Sequence, residues 1–128
     1  MTALDQLAFI LGSWRVEGHM HGTLIRGSAQ AERVLGGQAI LYRELVDGYE
    51  DLCLYRLDAV GELEVHHFSE DGAHRHAVHA MDDGSGLHWV PHTVHGPVVR
   101  LLRQADGFQI QVAHRDQPEP DVQLSFRR

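Results

Sequence analysis

From residue 14 to the C-terminus, the chain is a succession of short runs in which apolar and polar residues alternate. Alternation with a period of two is typical of β-strands that bury one face. Turn-forming dipeptides separate the runs, and Asp-Gly at 47–48, 71–72, 83–84 and 106–107 is a strong short hairpin signal. The pattern predicts ten strands, at residues 14–21, 28–35, 38–46, 51–57, 62–69, 73–81, 87–95, 98–104, 108–114 and 121–127.

The N-terminal segment follows a different period. Leu4, Leu7 and Leu11 recur at helical spacing, Thr2 is a suitable N-cap, and a glycine follows Leu11, which together predict one short helix. Because nearly every later connection is short, sequential strands are expected to pair, and closing the sheet removes its exposed edges. The predicted fold is all-β: a single closed up-and-down antiparallel β-barrel of about ten strands, one domain over residues 1–128, with the helix capping one end.

Composition argues against two classes of partner. The formal net charge is −7, and the basic residues are spread singly apart from Arg127-Arg128, so the chain is expected to repel phosphate backbones. No apolar stretch approaches the roughly 20 residues that span a bilayer, and the N-terminus lacks a signal-peptide pattern. We therefore expect no nucleic-acid binding, no membrane binding and a cytoplasmic location. The single Cys53 lies in an apolar run and is expected to be a small buried hydrophobe.

The segment Leu11-Gly12-Ser13-Trp14-Arg15-Val16-Glu17-Gly18 resembles the opening of calycin barrels, the lipocalins and fatty-acid-binding proteins. In those families a short helix leads into Gly-x-Trp on the first strand, and the Trp closes one end of the barrel. The resemblance assigns that role to Trp14. It also implies that an arginine of the last strand packs near Trp14, with Arg127 or Arg128 as the candidates.

A closer resemblance is to small bacterial calycin-like barrels of unknown function that are related to nitrobindin. Leu35-Gly36-Gly37 matches their Leu-Gly-Gly step before a strand, and Phe68-Ser69-Glu70-Asp71-Gly72 matches an aromatic strand that ends in an acidic residue and Gly. Nitrobindin-type proteins bind haem iron through a histidine near the C-terminus. Here the last histidine is His114 and the tail after it is broken by prolines, so the resemblance does not transfer a haem ligand.

Eleven histidines equal the number of Lys and Arg residues together, and most of them lie between His66 and His95. A two-residue turn at Asp71-Gly72 would set His67 opposite His76. Alternation then places His67, His74 and His76 on one face with the apolar residues of the same hairpin, and we take that face as the barrel interior.

The next hairpin extends this face. If Met81 pairs with Leu87, His88 and His92 join the interior and Trp89 faces outward. His67, His76 and His92 would then form a row with Cβ atoms about 5 Å apart, suited to a shared metal or anion, and His74 is a further candidate ligand.

Later strands add further lining residues, among them Arg103 and His114. Arg103 is the best candidate for an interior cation, and it would then need a ligand carboxylate or an internal acid beside it. Tyr42 and Glu44 share a face with Arg33 if Gly36-Gly37 makes a tight turn, and the three would either bind the polar head of a ligand or form an ion pair outside the barrel.

The sequence therefore predicts that the barrel lumen binds a small, partly apolar molecule. Alternatives are a metal- or haem-binding barrel and a small enzyme, although the serines lack a nucleophile-elbow context. The histidines also fit a polar-lined cavity without metal, or a solvated surface. The sequence assigns no cofactor, and it is compatible with a homodimer. The expected ligand-binding residues are His67, His76, His92, His114, Arg103, Trp14 and Tyr42.

Overall fold

The computed structural model of this chain describes residues 2–91, 96–113 and 119–128. Ten antiparallel strands form a closed sheet in which each strand pairs with its neighbours in sequence and the first pairs with the last. The strands are β1 (Gly12–Met20), β2 (Thr23–Val34), β3 (Ala39–Val46), β4 (Tyr49–Leu57), β5 (Leu63–Ser69), β6 (Gly72–Ala80), β7 (Gly86–Val90), β8 (Val98–Gln104), β9 (Gly107–Ala113) and β10 (Val122–Arg127). A 3₁₀ helix, Ala3–Ile10, precedes β1, and a 3₁₀ turn, Leu35–Gly37, precedes β3.

The barrel closes through β1 and β10, which pair from Arg15 opposite Arg127 to Met20 opposite Val122. The prediction of a closed up-and-down barrel with a short N-terminal helix is thereby confirmed. β2 is longer than predicted, because it begins at Thr23 rather than at residue 28. His21 and Gly22 form the preceding turn with φ of 50° and 81°, the left-handed conformation that a type I′ hairpin turn requires at both central residues.

The hairpin between β3 and β4 turns at Asp47-Gly48 as predicted, with φ of 49° and 84°. The predicted turn at Asp71-Gly72 is wrong by one residue. Only Gly72 has a positive φ there, so Glu70-Asp71 form the turn and His67 lies opposite His74, where the sequence predicted His76. This shifts the register by two residues, which leaves every side chain on its predicted face.

The predicted register between β6 and β7 is wrong by one residue. The N–H of Met81 donates a hydrogen bond to the carbonyl oxygen of Gly86 at 2.8 Å, and Ala80 rather than Met81 pairs with Leu87. A one-residue shift exchanges the faces of a strand. His88 therefore faces outward and Trp89 faces inward, the reverse of the prediction.

The N-terminal 3₁₀ helix plugs one end of the barrel. Trp14 is 5% exposed, and its indole N–H donates a hydrogen bond to the carbonyl oxygen of Ile10 at 2.8 Å. Its ring meets Phe108 edge-on at 5.0 Å, and Phe108 stacks on Phe126 with ring centroids 4.1 Å apart. Trp14 thus lies at the closed end of the barrel, in the role that the resemblance implied.

Two arginines cover this plug from outside. The guanidinium of Arg128 lies 4.4 Å from the centroid of the Trp14 ring, so Arg128 rather than Arg127 packs on the tryptophan. The prediction of Arg103 as an interior cation is wrong, because its side chain is exposed at the plugged end, 4.8 Å from the centroid of the Phe9 ring. Arg103 shares a face with buried Leu101, but it lies too far along β8 to reach the lumen. Its guanidinium donates to backbone carbonyls rather than to a carboxylate.

We expect Trp14→Phe to lower the free energy of unfolding by about 1–3 kcal/mol. Phenylalanine keeps most of the buried surface but loses the hydrogen bond to Ile10 and the better cation–π partner of Arg128. Urea unfolding followed by circular dichroism measures the change. Phe68→Ala is the control, since Phe68 is 45% exposed on the outer face and should change stability by less than about 0.5 kcal/mol. Equal stability of Trp14→Phe and the unmodified protein would contradict this role.

Candidate functional site

The two ends of the barrel interior differ in chemistry. Around the plug the buried inward side chains are aliphatic and aromatic. Towards the opposite end, which we call the open end, the inward positions of β3 to β6 carry hydroxyl, carboxyl and imidazole groups. We call these residues the polar wall: Tyr42, Glu44, Asp51, His67 and His76.

Small residues on β2 leave space for the long side chains of the polar wall. Ala31 lies opposite Tyr42, and Ala29 lies opposite Glu44. Further towards the open end, β2 has Gly27, where an added Cβ would lie 2.0 Å from the carbonyl oxygen of Leu45 on β3. Glycine thus allows this close backbone approach, and the inward positions of β2 beside Glu44 carry small residues.

Tyr42 and Glu44 form a hydrogen-bonded pair inside the barrel. The Tyr42 hydroxyl donates to Oε1 of Glu44 at 2.5 Å, and Tyr42 is 3% exposed. Burial raises the pKa of Glu44, and the neighbouring Asp51 raises it further, whereas the hydrogen bond from Tyr42 and the charge of His67 oppose the rise. Burial, followed by the charge of Glu44, raises the pKa of Tyr42 well above its ordinary value. The site therefore holds a carboxyl group that costs free energy to ionise.

Asp51 and His67 extend the polar wall to solvent. Asp51 lies directly opposite Glu44 on the neighbouring strand, and Nε2 of His67 lies 3.4 Å from Oδ1 of Asp51. The side chain of Asp51 is 37% exposed, and that of His67 is 24% exposed. The polar wall thus runs from the buried Tyr42 hydroxyl to side chains that are partly exposed to solvent.

Trp89 adds an aromatic surface that the sequence analysis placed on the wrong face. Its ring stacks on His76 at 5.3 Å with an interplanar angle of 20° and lies 5.3 Å from the His67 ring. The indole N–H donates to the Tyr55 hydroxyl at 3.2 Å. His67 and His76 are therefore brought together around Trp89, and not as a directly opposed pair.

Cys53 lies in the same part of the interior. It is 4% exposed and is flanked by Tyr42 on β3 and His67 on β5. Burial raises the pKa of its thiol well above the ordinary value, so the thiolate form is disfavoured. The prediction of a small buried hydrophobe agrees with this placement.

The remaining predicted site residues are not part of this cluster. His74 is exposed, with its ring 6.4 Å from that of His76. His92 and His114 lie outside the described residues. Arg33 shares the face of Tyr42 and Glu44 as predicted, but it lies at the plugged end, where its guanidinium pairs with Asp5 at 3.0 Å.

Asp51 and its pairing with Glu44 across β3 and β4 were not predicted from the sequence. A signal for both was available. The Asp47-Gly48 turn sets Val46 opposite Tyr49, and counting back along the two strands places Glu44 opposite Asp51.

The predicted histidine metal site receives no support from the described part of the chain, where no group of three or more His, Cys, Asp or Glu residues is placed to hold a metal ion. Two depressions of the surface lie elsewhere, on the outer side of the sheet. One is lined by residues such as Arg15 and Ser125, and the other by residues such as His88 and Arg100. Both are open to solvent, and the polar wall remains the candidate site.

Comparisons with protein-family models and with curated proteins find no match to this chain. Among the described residues, no helix is long and apolar enough to cross a membrane.

We expect Glu44→Gln to be more stable than the unmodified protein at neutral pH. Because burial raises the folded-state pKa of Glu44 above the ordinary 4.5, the folded protein binds this proton more tightly than the unfolded chain does. Stability from Glu44 is thus fully present below the unfolded pKa and is lost as the pH rises through the folded one. Glutamine cannot ionise, and its side-chain oxygen still accepts the hydrogen bond from Tyr42.

Urea unfolding of both proteins at several pH values tests this expectation. The stability difference should grow as the pH rises from the acidic range to neutrality. Glu50→Gln is the matched control, since it removes the same charge from an exposed position on β4 and should bring no such gain. A Glu44→Gln protein that is less stable at neutral pH would contradict the cost assigned to the buried carboxyl.

Proposed function

We propose that the open end of the barrel binds a small, partly apolar molecule, with the polar part of the guest against the polar wall. The observation that carries this proposal is the placement of ionisable side chains inside the lumen. Burying a carboxyl or imidazole group costs free energy that an aliphatic core residue would avoid. The plugged end of the same barrel shows that this chain fills space with aliphatic and aromatic groups where only packing is required.

The opposite side of the open end supplies an apolar surface. We call it the apolar wall, and it consists of inward residues near the open ends of four other strands. Ile25 is 5% exposed, and the three valines pack against the core. The valines are direct cross-strand neighbours, with Val112 opposite both Val99 and Val122. The apolar wall consists of Ile25, Val99, Val112 and Val122.

The two walls together suit an amphipathic guest. Binding sites for small molecules are mostly apolar, with a few polar groups that fix the orientation of the ligand. Here Glu44, Asp51 and His67 provide these polar groups on one side, and the apolar wall offers surface for a hydrocarbon body on the other. Arg103 lies at the plugged end and is therefore not one of the proposed polar anchors. Glu44 and Asp51 take its place among them.

The relationship to calycin-like barrels is part of the proposal. The closed barrel and the Trp14 plug support a calycin-like architecture, and Leu35-Gly36-Gly37 before β3 is the feature shared with the small bacterial barrels related to nitrobindin. That relationship transfers no haem ligand to a residue of this chain. We also propose a cytoplasmic location, because the single Cys53 cannot form a disulfide within the chain and this fits a reducing compartment.

The neutral fluorescent dye N-phenylnaphthylamine tests lumen binding. We expect the unmodified protein to bind it, and Val112→Trp to weaken binding by about tenfold or more, because an indole ring on the apolar wall occupies the space of the guest. Gln111→Trp is the matched control, since Gln111 is the neighbouring residue on the same strand and faces outward, towards Gln109.

Fluorescence titration gives the dissociation constants, and thermal melts show whether both variants are folded. Unchanged affinity in a folded Val112→Trp protein would mean that the dye binds elsewhere. Failure of the unmodified protein to bind the dye would refute a lumen site for apolar molecules.

A further inference from the structure

Among the described residues, the ionisable side chains on inward positions at the open end all come from one side of the barrel. Three strands, β3 to β5, contribute Glu44, Asp51 and His67 to the lumen, and β6 contributes His76. The other strands contribute the aromatic ring of Trp89 and the residues of the apolar wall. Aromatic, carboxyl and hydrocarbon side chains thus occupy inward positions at the same end of the barrel.

Arginine is missing from this space among the described residues. The sequence contains no lysine, so arginine is the only side chain with a permanent positive charge. Most of the described arginines lie on outward positions of their strands. The two on inward positions, Arg33 and Arg103, lie at the plugged end, where they contact Asp5 and Phe9.

Glu44 and Asp51 therefore face each other without a described arginine between them. Directly opposed residues of neighbouring antiparallel strands have Cβ atoms about 5 Å apart, and like charges at such positions are destabilising. Nε2 of His67 lies 3.4 Å from Oδ1 of Asp51, and the Tyr42 hydroxyl donates to Glu44. A positive charge placed near both carboxyl groups would relieve their repulsion.

We propose that the guest of the lumen is a small organic cation, such as a protonated amine that carries an apolar body. This inference rests on the proposed function and adds the sign of the charge. The ammonium group donates hydrogen bonds to Glu44 and Asp51, and the hydrocarbon body lies along Trp89 and the apolar wall. Aromatic rings near an ammonium group add a favourable cation–π contribution.

A carboxylate guest such as a fatty acid is disfavoured at the same position. Its charge would approach two carboxyl groups in a partly desolvated site, where electrostatic interactions are stronger than in water. The described part of the lumen has no guanidinium to receive it. A cation near Glu44 also lowers the cost of ionising that buried carboxyl.

Three probes that share one ring system separate these cases. Naphthylmethylamine is a cation at neutral pH, naphthylmethanol is neutral, and naphthylacetate is an anion. Isothermal titration calorimetry should show that the amine binds about tenfold or more tightly than the alcohol, and the alcohol more tightly than the acid.

Charge-removing variants locate the effect. Glu44→Gln and Asp51→Asn should each weaken binding of the amine by about fivefold or more while changing binding of the alcohol by less than about twofold. Glu50→Gln is the matched control, because it removes the same charge from the outer face of β4 and should leave amine binding unchanged. Asp51 lies at the exposed rim of the polar wall, so its variant keeps the test valid if Glu44→Gln does not fold.

The outcomes distinguish this inference from the proposed function. If N-phenylnaphthylamine binds in the lumen but the amine binds no better than the alcohol or the acid, the preference for a cation is refuted and lumen binding stands. If an equal loss of amine affinity follows from Glu50→Gln, the effect is one of overall charge, and the assignment to Glu44 and Asp51 is refuted. If neither the dye nor any of the three probes binds, both proposals fail.

Discussion

Hydrogen bonding between the first and last strands is the constraint on which the rest of this structure depends. Because β1 pairs with β10 from Arg15 to Met20, neither strand is left as an edge that could pair with another chain. Because the sheet is closed, every second residue of all ten strands points into one shared interior. An open sheet of the same strands would leave those residues on a face exposed to water.

Within that interior, the two ends follow different physical rules. At the plugged end, Trp14 joins the helix to the sheet through its hydrogen bond to Ile10 and its contact with Arg128, and the surrounding groups are apolar. At the open end, carboxyl and imidazole groups occupy inward positions, and burial penalises the charged form of Glu44. The first arrangement stabilises the barrel, whereas the second lowers its stability. Such a difference between two ends of one core is typical of a fold that carries a site.

Part of the candidate site was accessible from the sequence. Alternation placed His67 and His76 on the inward face correctly, and it did so despite a register error of two residues, because an even shift preserves the face. The opposition of Glu44 and Asp51 was not predicted, although the Asp47-Gly48 turn specifies it. The inward position of Trp89 could not be derived from the sequence in this way. Its face depends on the loop before β7, where the hydrogen bond between Met81 and Gly86 selects a register that composition does not specify.

The sequence by itself determined the number of strands, the short N-terminal helix and the closed barrel, because periodicity and turn-forming dipeptides are local properties of the chain. Only the tertiary structure decided how far along the barrel each inward residue lies. Arg103 shows the difference: it shares a face with buried Leu101, yet it covers the plug instead of lining the lumen. Height along the barrel depends on the stagger of all ten strands and on the position of the helix, and these are set by contacts between residues far apart in sequence.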